Sequence, residues 1–387
     1  MSKDSGRSVV VVGAGVIGAA IAWRCACAGH RVTVLDPDPR ASASWVAGGM
    51  LAPITEAWPG DEDVLQLGLR SLAGWPQFAE DLAVAGHDPG LSSAGTLVVG
   101  VDAADREVLR TLAGYLAEHQ QPAELLDRSQ LRRMEPGFGP AVRGALSVPG
   151  DLAVDNRALL RGLLDAALER GATLIERAAS GVQPRLVELR GGGELRADVV
   201  VLAAGAWSGR LRAELATAVR PIKGEILRLR PRRGSLPPPR RTVRALVCAR
   251  PVYLVPRADG EVVLGASQYD AGFDTEPVAA GVRDLLLDAE RVLPGIADYA
   301  LVECVAGLRA GSVDNLPVLG ELAPGLLVAS GHHRNGLLLA PGTADAVLGL
   351  IAGEQLPQEW IPAGVGRLAA LAAETPASGA TSSGGSR

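Results

Sequence analysis

Cysteine is scarce, four residues in 387. Cys25, Cys27, Cys248 and Cys304 make neither a C-x-x-C redox pair nor a zinc framework, which leaves no metal site to expect. Such usage fits a reducing cytoplasm, with the thiols acting as small buried hydrophobes. An excess of positive charge is also missing. The net charge is -5, and nothing resembles the basic stripe of a nucleic-acid-binding surface. No run reaches the ~18 uninterrupted apolar residues of a membrane span. The opening M-S-K-D-S-G-R lacks the apolar stretch and small-residue cleavage site of a signal peptide. No internal repeat is visible. The expectation is a cytoplasmic α/β enzyme, long enough for two lobes.

What is present begins with Val9–Val12, a β-branched run suited to a strand buried on both faces. A glycine turn follows, then a helix over about 16–28 and a strand over 31–35. Gly13, Gly15 and Gly18 form G-x-G-x-x-G between that strand and helix. The first glycine permits the tight turn, the second a close approach of backbone to pyrophosphate, and the third close helix–strand packing. The helix N-terminus offers N–H groups and a positive dipole end. Asp36 ends the second strand, where a carboxylate takes ribose hydroxyls. This pattern predicts dinucleotide binding without separating NAD from FAD. A second strand, 197–202, ends in A-A-G-A-W and returns the chain to the same dinucleotide, a recurrence typical of two-lobed flavoproteins.

Helices are expected over 61–82, 105–119, 157–170, 284–292 and 342–351. Strand-like segments at 225–229, 253–256 and 262–265, joined by Pro/Arg/Gly-rich turns, predict an antiparallel sheet. The Ala/Ser/Gly-rich tail from about Thr375 reads as disordered.

Seven blocks carry a resemblance. They are V-V-V-V-G-A-G-V-I-G-A-A-I-A-W near the start, V-A-G-G-M-L-A-P around Met50, V-V-V-L-A-A-G-A-W-S-G, P-I-K-G-E at 221–225, V-Y-L-V-P-R at 252–257, A-G-L-R-A-G-S-V-D-N-L-P at 306–317 and G-H-H-R-N-G-L-L-L-A-P at 331–341. Together they resemble the D-amino-acid oxidase superfamily, most closely its glycine oxidases of thiamine biosynthesis. The resemblance implies a Rossmann-like FAD-binding domain from 1–75, 150–220 and 305–363. It implies a mixed or antiparallel-sheet substrate domain from 76–149 and 221–304, and a tail over 364–387.

It further implies non-covalent FAD, held by Val16, Ile17, Asp36, Pro37, Ala43, Ser44, Gly48, Gly49 and Met50 besides the three fingerprint glycines. A backbone group near Ser180 and the run His332, His333, Arg334, Asn335, Gly336, Leu337 and Leu338 complete that set. Arg309 and Arg334 should meet a substrate carboxylate, with Tyr253 beside it. Gln268 stands where relatives use an apolar residue facing the substrate, a departure from the family pattern. A guanidinium gripping a carboxylate through two parallel hydrogen bonds would orient the C–H to be oxidised.

Other residues leave alternatives open. Arg309 and Arg334 also read as surface charges. His332 and His333 are candidates for a general base or for main-chain and flavin contact. Backbone N–H groups of 334–338 could face flavin N1 and C2=O. Lys223 could favour oxygen activation or form an ion pair, with Glu225 or another acid. Cys304 stands where some relatives tether flavin, or is a small hydrophobe. Pro251 and the bulky Trp45 depart from the family pattern. The implied reaction is oxidation of glycine by O2 to iminoacetate or glyoxylate with peroxide. Sarcosine, a D-amino acid, a dehydrogenase passing electrons to a carrier, or a flavin-binding scaffold remain alternatives. A homo-oligomer and hand-off to a thiazole synthase stay open.

Overall fold

The computed structural model describes residues 6–370; the tail expected to be disordered from Thr375 lies outside them. Two sheets organise the chain. The first has six strands in the order β18-β19-β12-β1-β2-β8. These are Val318–Ala323, Leu326–Ser330, Val199–Leu202, Ser8–Val12, Arg31–Leu35 and Thr173–Ile175. All pairings are parallel except β18 against β19 at the edge. Buried on both faces, β1 and β12 read as unbroken valine-rich runs. The chain departs from β1 toward β2 on one side, while β12 lies on the other, so the C-terminal end of β1 is the switch point where ligands bind in such sheets.

Helices α1 (Val16–Cys27), α3 (Glu62–Val84), α6 (Asn156–Glu169) and α9 (Gly336–Ala352) share one core with this sheet. Residues His333–Ala352 are long and apolar enough to cross a membrane by composition alone. Here that hydrophobicity is spent inside the protein, with Leu337–Ala340 and Val347 buried in the core. Helix α9 starts earlier than expected and runs through Pro341. Ser71 Oγ and Trp75 Nε1 of α3 donate to the Leu338 carbonyl at 2.7 and 2.9 Å, fixing this first turn.

The second sheet has eight strands in the order β17-β13-β16-β15-β14-β4-β6-β5. They are Ala300–Ser312, Val219–Arg230, Val262–Gly265, Arg250–Pro256, Thr242–Val247, Thr96–Gly100, Gly144–Val148 and Glu124–Asp127. It is mixed: β14 runs parallel to β4 and the other pairs are antiparallel. Strand β17 pairs with β13 along its length, so residues 305–312, expected with the first lobe, belong to the second sheet.

Side chains alternate across β13. Lys223, Glu225 and Leu227 look one way, toward α8 (Ala279–Val292) and the segment before it; Gly224, Ile226 and Arg228 look toward the first lobe. Small sheets complete the fold. Strands β3 (Met50–Leu51) and β7 (Leu152–Ala153) pair, and β9 (Ala179–Gln183), β10 (Leu186–Leu189) and β11 (Glu194–Arg196) form a three-stranded sheet.

Candidate active site

The glycine fingerprint is built as the sequence implies. Gly13 has φ +107°, a left-handed conformation that favours glycine. A Cβ on Gly18 would lie 1.9 Å from the Gly13 carbonyl oxygen, which explains why helix and turn approach so closely. The Ala14 N–H donates to Asp36 Oδ2 at 2.7 Å, and the Asp38 N–H donates to Oδ1 at 2.8 Å. Burial pushes the Asp36 carboxyl up, against these bonds. Gly15 caps α1 without a side chain of its own, and Ser44 Oγ accepts from the Val16 N–H at 2.9 Å. Ile17 follows in the buried first turn of α1, and Pro37 is exposed after β2.

Between the two sheets opens a cleft lined by residues of both lobes. One wall is Ala43, Ser44 and the Gly48-Gly49-Met50 turn; another is His333 to Leu337; the floor is Gly224, Ile226, Tyr253, Gly307 and Arg309. This brings together residues from five distant stretches of the chain. Glycines make the room. A Cβ on Gly48 would come within 2.6 Å of Tyr253 Cε2, and one on Gly265 within 2.5 Å of its Cζ. A Cβ on Gly224 would sit 2.1 Å from Arg309 Nη1. Arg309 donates from Nη1 to the Ser267 carbonyl at 3.3 Å, a neutral partner. Burial raises the Tyr253 hydroxyl, which stays protonated.

His332 is buried against Thr343 Oγ1 at 3.0 Å, and burial drives it down to about 3. His333 is driven down to about 4 by burial and by the charges of Arg334 and Arg309. Both rings are therefore neutral near pH 7. His333 Nδ1 meets Asn315 Oδ1 at 3.1 Å, which leaves its buried Nε2 without a protein partner in a residue that lines the cleft. Arg334 is exposed, its Nε 3.7 Å from Glu56 Oε2. Leu338 lines a neighbouring cavity.

Other residues singled out in the sequence lie outside the cleft. Gln268 is exposed and does not line the cleft, because the chain turns outward after Gly265 and Tyr269 pairs back with Lys223. Ser180 is exposed on β9, also outside the lining. Lys223 is fully buried and forms its ion pair with another acid, Asp274, and bonds the Glu276 carbonyl. As the neighbour of Gly224 in a strand, it must look away from the cleft. Cys304 packs against the core under α8, on that same far face. Trp45 belongs to the short helix α2 (Ala43–Val46), not a turn, and its ring is covered by Arg157 at 4.7 Å, Arg161 at 5.7 Å and Arg40 at 5.8 Å. Pro251 is exposed at the start of β15.

The sequence reading missed four residues. Arg257 Nη2 donates to the Gly48 carbonyl at 2.7 Å and to Asn156 Oδ1 at 3.0 Å, which ties the glycine turn to the second lobe. Asn156 Nδ2 donates to the Ser44 and Trp45 carbonyls at 2.8 and 2.9 Å. Glu56 lines the cleft and accepts from Arg244 Nη1 at 2.5 Å. Arg257 stood within a quoted block, and the Asp155-Asn156-Arg157 helix start was readable; Glu56 and Arg244 carried no sequence signal.

The model of the family described as "FAD dependent oxidoreductase" (DAO) matches residues 8–350. The chain belongs to this family. It uses FAD, and the parts fit it: a G-x-G-x-x-G turn at the switch point, a carboxylate at the end of β2, and a glycine-walled cleft with an unpartnered imidazole nitrogen. The bifunctional protein ThiO/ThiG of Nostoc sp. is 35% identical over 353 residues, 89% of this chain and 52% of that protein. The chain thus spans about half the length of the first curated relatives it matches. A glycine oxidase of Geobacillus kaustophilus is 33% identical over 366 residues, covering 92% of this chain and 95% of that one. The crystal structure of the glycine oxidase from that organism superposes with a TM-score of 0.85 at 31% identity, over 93% and 98% of the two chains. That of an iminodiacetate oxidase from Chelativorans sp. BNC1 gives 0.82 at 27% identity, over 92% and 98%.

Proposed function

We propose that this protein is an oxidase of small amino acids, glycine foremost, that releases glyoxylate or iminoacetate, ammonia and hydrogen peroxide. The observation that carries the reading is Arg309, a guanidinium on the cleft floor whose hydrogen bond goes to a neutral carbonyl. Its planar fork is free to take a carboxylate in two parallel bonds. When bound, FAD accepts a hydride from the amine-bearing carbon and passes the electrons to oxygen.

The chain's own residues do the rest. Arg309 fixes the carboxylate and hence the direction of the Cα–H bond. Tyr253, clamped between Gly48 and Gly265, limits the side-chain volume beside it. Arg334 stands at the mouth, paired with Glu56. His333, neutral near pH 7, presents a lone pair at Nε2 that can accept an amine N–H and hold the amine uncharged. No general base is required once the amine is neutral, so His332 serves structure. The fingerprint glycines and Asp36 hold the dinucleotide arm, with Val16, Ile17 and Pro37 beside it. The first lobe acts as the cofactor domain and the second as the substrate domain.

The bifunctional relatives support a further step, in which the imine passes to a thiazole-forming enzyme. The four free cysteines suit a reducing, cytoplasmic setting. The test is a panel of glycine, sarcosine, D-alanine and a carboxylate-free amine, with peroxide and glyoxylate as readouts. Glycine turnover with stoichiometric peroxide is expected. Turnover with an artificial acceptor and no peroxide would make the protein a dehydrogenase instead.

A further inference from the structure

Among the residues lining the cleft, Glu56 is the acid, set against Arg309 and Arg334. It also lines a small neighbouring pocket, so it stands in the partition between the two. Its Oε1 accepts from Arg244 Nη1 at 2.5 Å and its Oε2 faces Arg334 Nε at 3.7 Å. Burial pushes the Glu56 carboxyl up, but Arg244 and Arg334 outweigh it and hold it ionised. Beneath lies Asp151, fully buried, accepting from the Ile54 N–H at 3.2 Å and Thr55 Oγ1 at 2.7 Å. Those bonds pin the turn that carries Glu56. Two carboxylates thus stand with Arg244 and Arg334, and their charges balance. Arg309 has no such compensation: its bond goes to the Ser267 carbonyl.

We infer that Glu56 is a specificity-determining residue: by neutralising Arg334 it restricts the cleft to amines with a single anionic group. The inference rests on the reading of Arg309 as the carboxylate clamp. A substrate held there by one carboxylate would bring any second one to the mouth, where the cation is already engaged and Glu56 repels it. Removing the Glu56 charge leaves Arg334 uncompensated and the mouth receptive to a second anion.

The experiment titrates the FAD-loaded protein with acetate and with malonate, followed by flavin absorbance, alongside kcat/KM for glycine and for iminodiacetate. Wild type should bind acetate at least tenfold more tightly than malonate. In Glu56→Gln the ratio should shift toward malonate by tenfold or more, with a parallel gain for iminodiacetate relative to glycine. Glu56→Asp, which keeps the charge, should retain the wild-type order. Malonate binding to wild type as tightly as acetate overturns the inference even if Glu56→Gln fails to fold. An equal loss for both acids in Glu56→Gln also overturns it, because that is the mark of a structural role. If wild type ignores both acids and oxidises a carboxylate-free amine as well as glycine, the reading of Arg309 fails and this inference goes with it.

Discussion

Replacing Gly224 by alanine tests the cleft floor with a single methyl group. Gly224 lies in β13, opposite Gly307 of β17, in extended backbone that alanine adopts without strain. Its new Cβ would stand 2.1 Å from Arg309 Nη1 and 2.6 Å from both Cζ and Nη2. Carbon contacts settle at about 3.5–4.0 Å, so the guanidinium must retreat by more than ~1 Å. The bond to the Ser267 carbonyl is already 3.3 Å and would not survive such a shift. A misplacement of about 1 Å in a positioning group costs on the order of 100-fold, or about 2.7 kcal/mol of transition-state stabilisation. Stability should suffer less, because the clashing atoms are the far end of a side chain that can move. Flavin content should be unchanged, since the methyl points at Arg309 and not at the fingerprint turn. The assay is stopped-flow flavin reduction by glycine and by a carboxylate-free amine, with thermal unfolding measured alongside. A roughly 100-fold loss confined to the carboxylate-bearing amine is expected. Glycine kcat/KM within threefold of wild type, at normal flavin content, would refute the assignment of Arg309 as the clamp.

Arg309→Lys keeps the charge but loses the fork, and should cost about 2–4 kcal/mol in kcat/KM for glycine, roughly 30- to 1,000-fold; near-wild-type saturation by glycine would shift attention to Arg334. Asp36→Ala removes the acceptor shared by the Ala14 and Asp38 N–H groups as well as the ribose contact. FAD affinity measured on apoprotein should fall by about 1.5–3 kcal/mol, with turnover of the reconstituted enzyme nearly intact. Heat or acid should release FAD intact, because Cys304 packs on the far face of β17 and burial raises its thiol; flavin retained on the polypeptide would contradict this. Asp151 is raised from 3.8 to about 6 by burial, so the folded state binds the proton more tightly than the unfolded chain. Its contribution is fully present below pH 4 and lost as pH rises through 6, a swing on the order of 3 kcal/mol. Asp151→Asn should therefore gain stability relative to wild type between pH 5 and pH 8, which unfolding curves at the two pH values would check.

Some of this molecule was legible residue by residue, and the reason is locality. The fingerprint turn needs Gly13 for its φ of +107° and Gly18 because a Cβ there would strike the Gly13 carbonyl five residues back, so a short string announces it. The valine runs of β1 and β12 announce burial on both faces for the same reason. By contrast, Glu56 acquires its meaning from Arg244, 188 residues away, and from Arg334 beyond that. Asn156 acts on Ser44 and Trp45 across more than a hundred residues. No local pattern encodes such partners. Strand β17 was read as a motif and not as a 13-residue strand, because its cleft face bears Glu303, Gly307 and Arg309 where a core face would carry hydrophobes. Function had replaced the alternation that identifies a strand. Strand geometry also bears on the two readings left open for Lys223. If Gly224 is small to admit Arg309, its neighbour Lys223 must point to the opposite side of β13, since successive side chains alternate. Of the two readings left open for Lys223, only the ion pair fits that alternation, and the structure pairs it with Asp274.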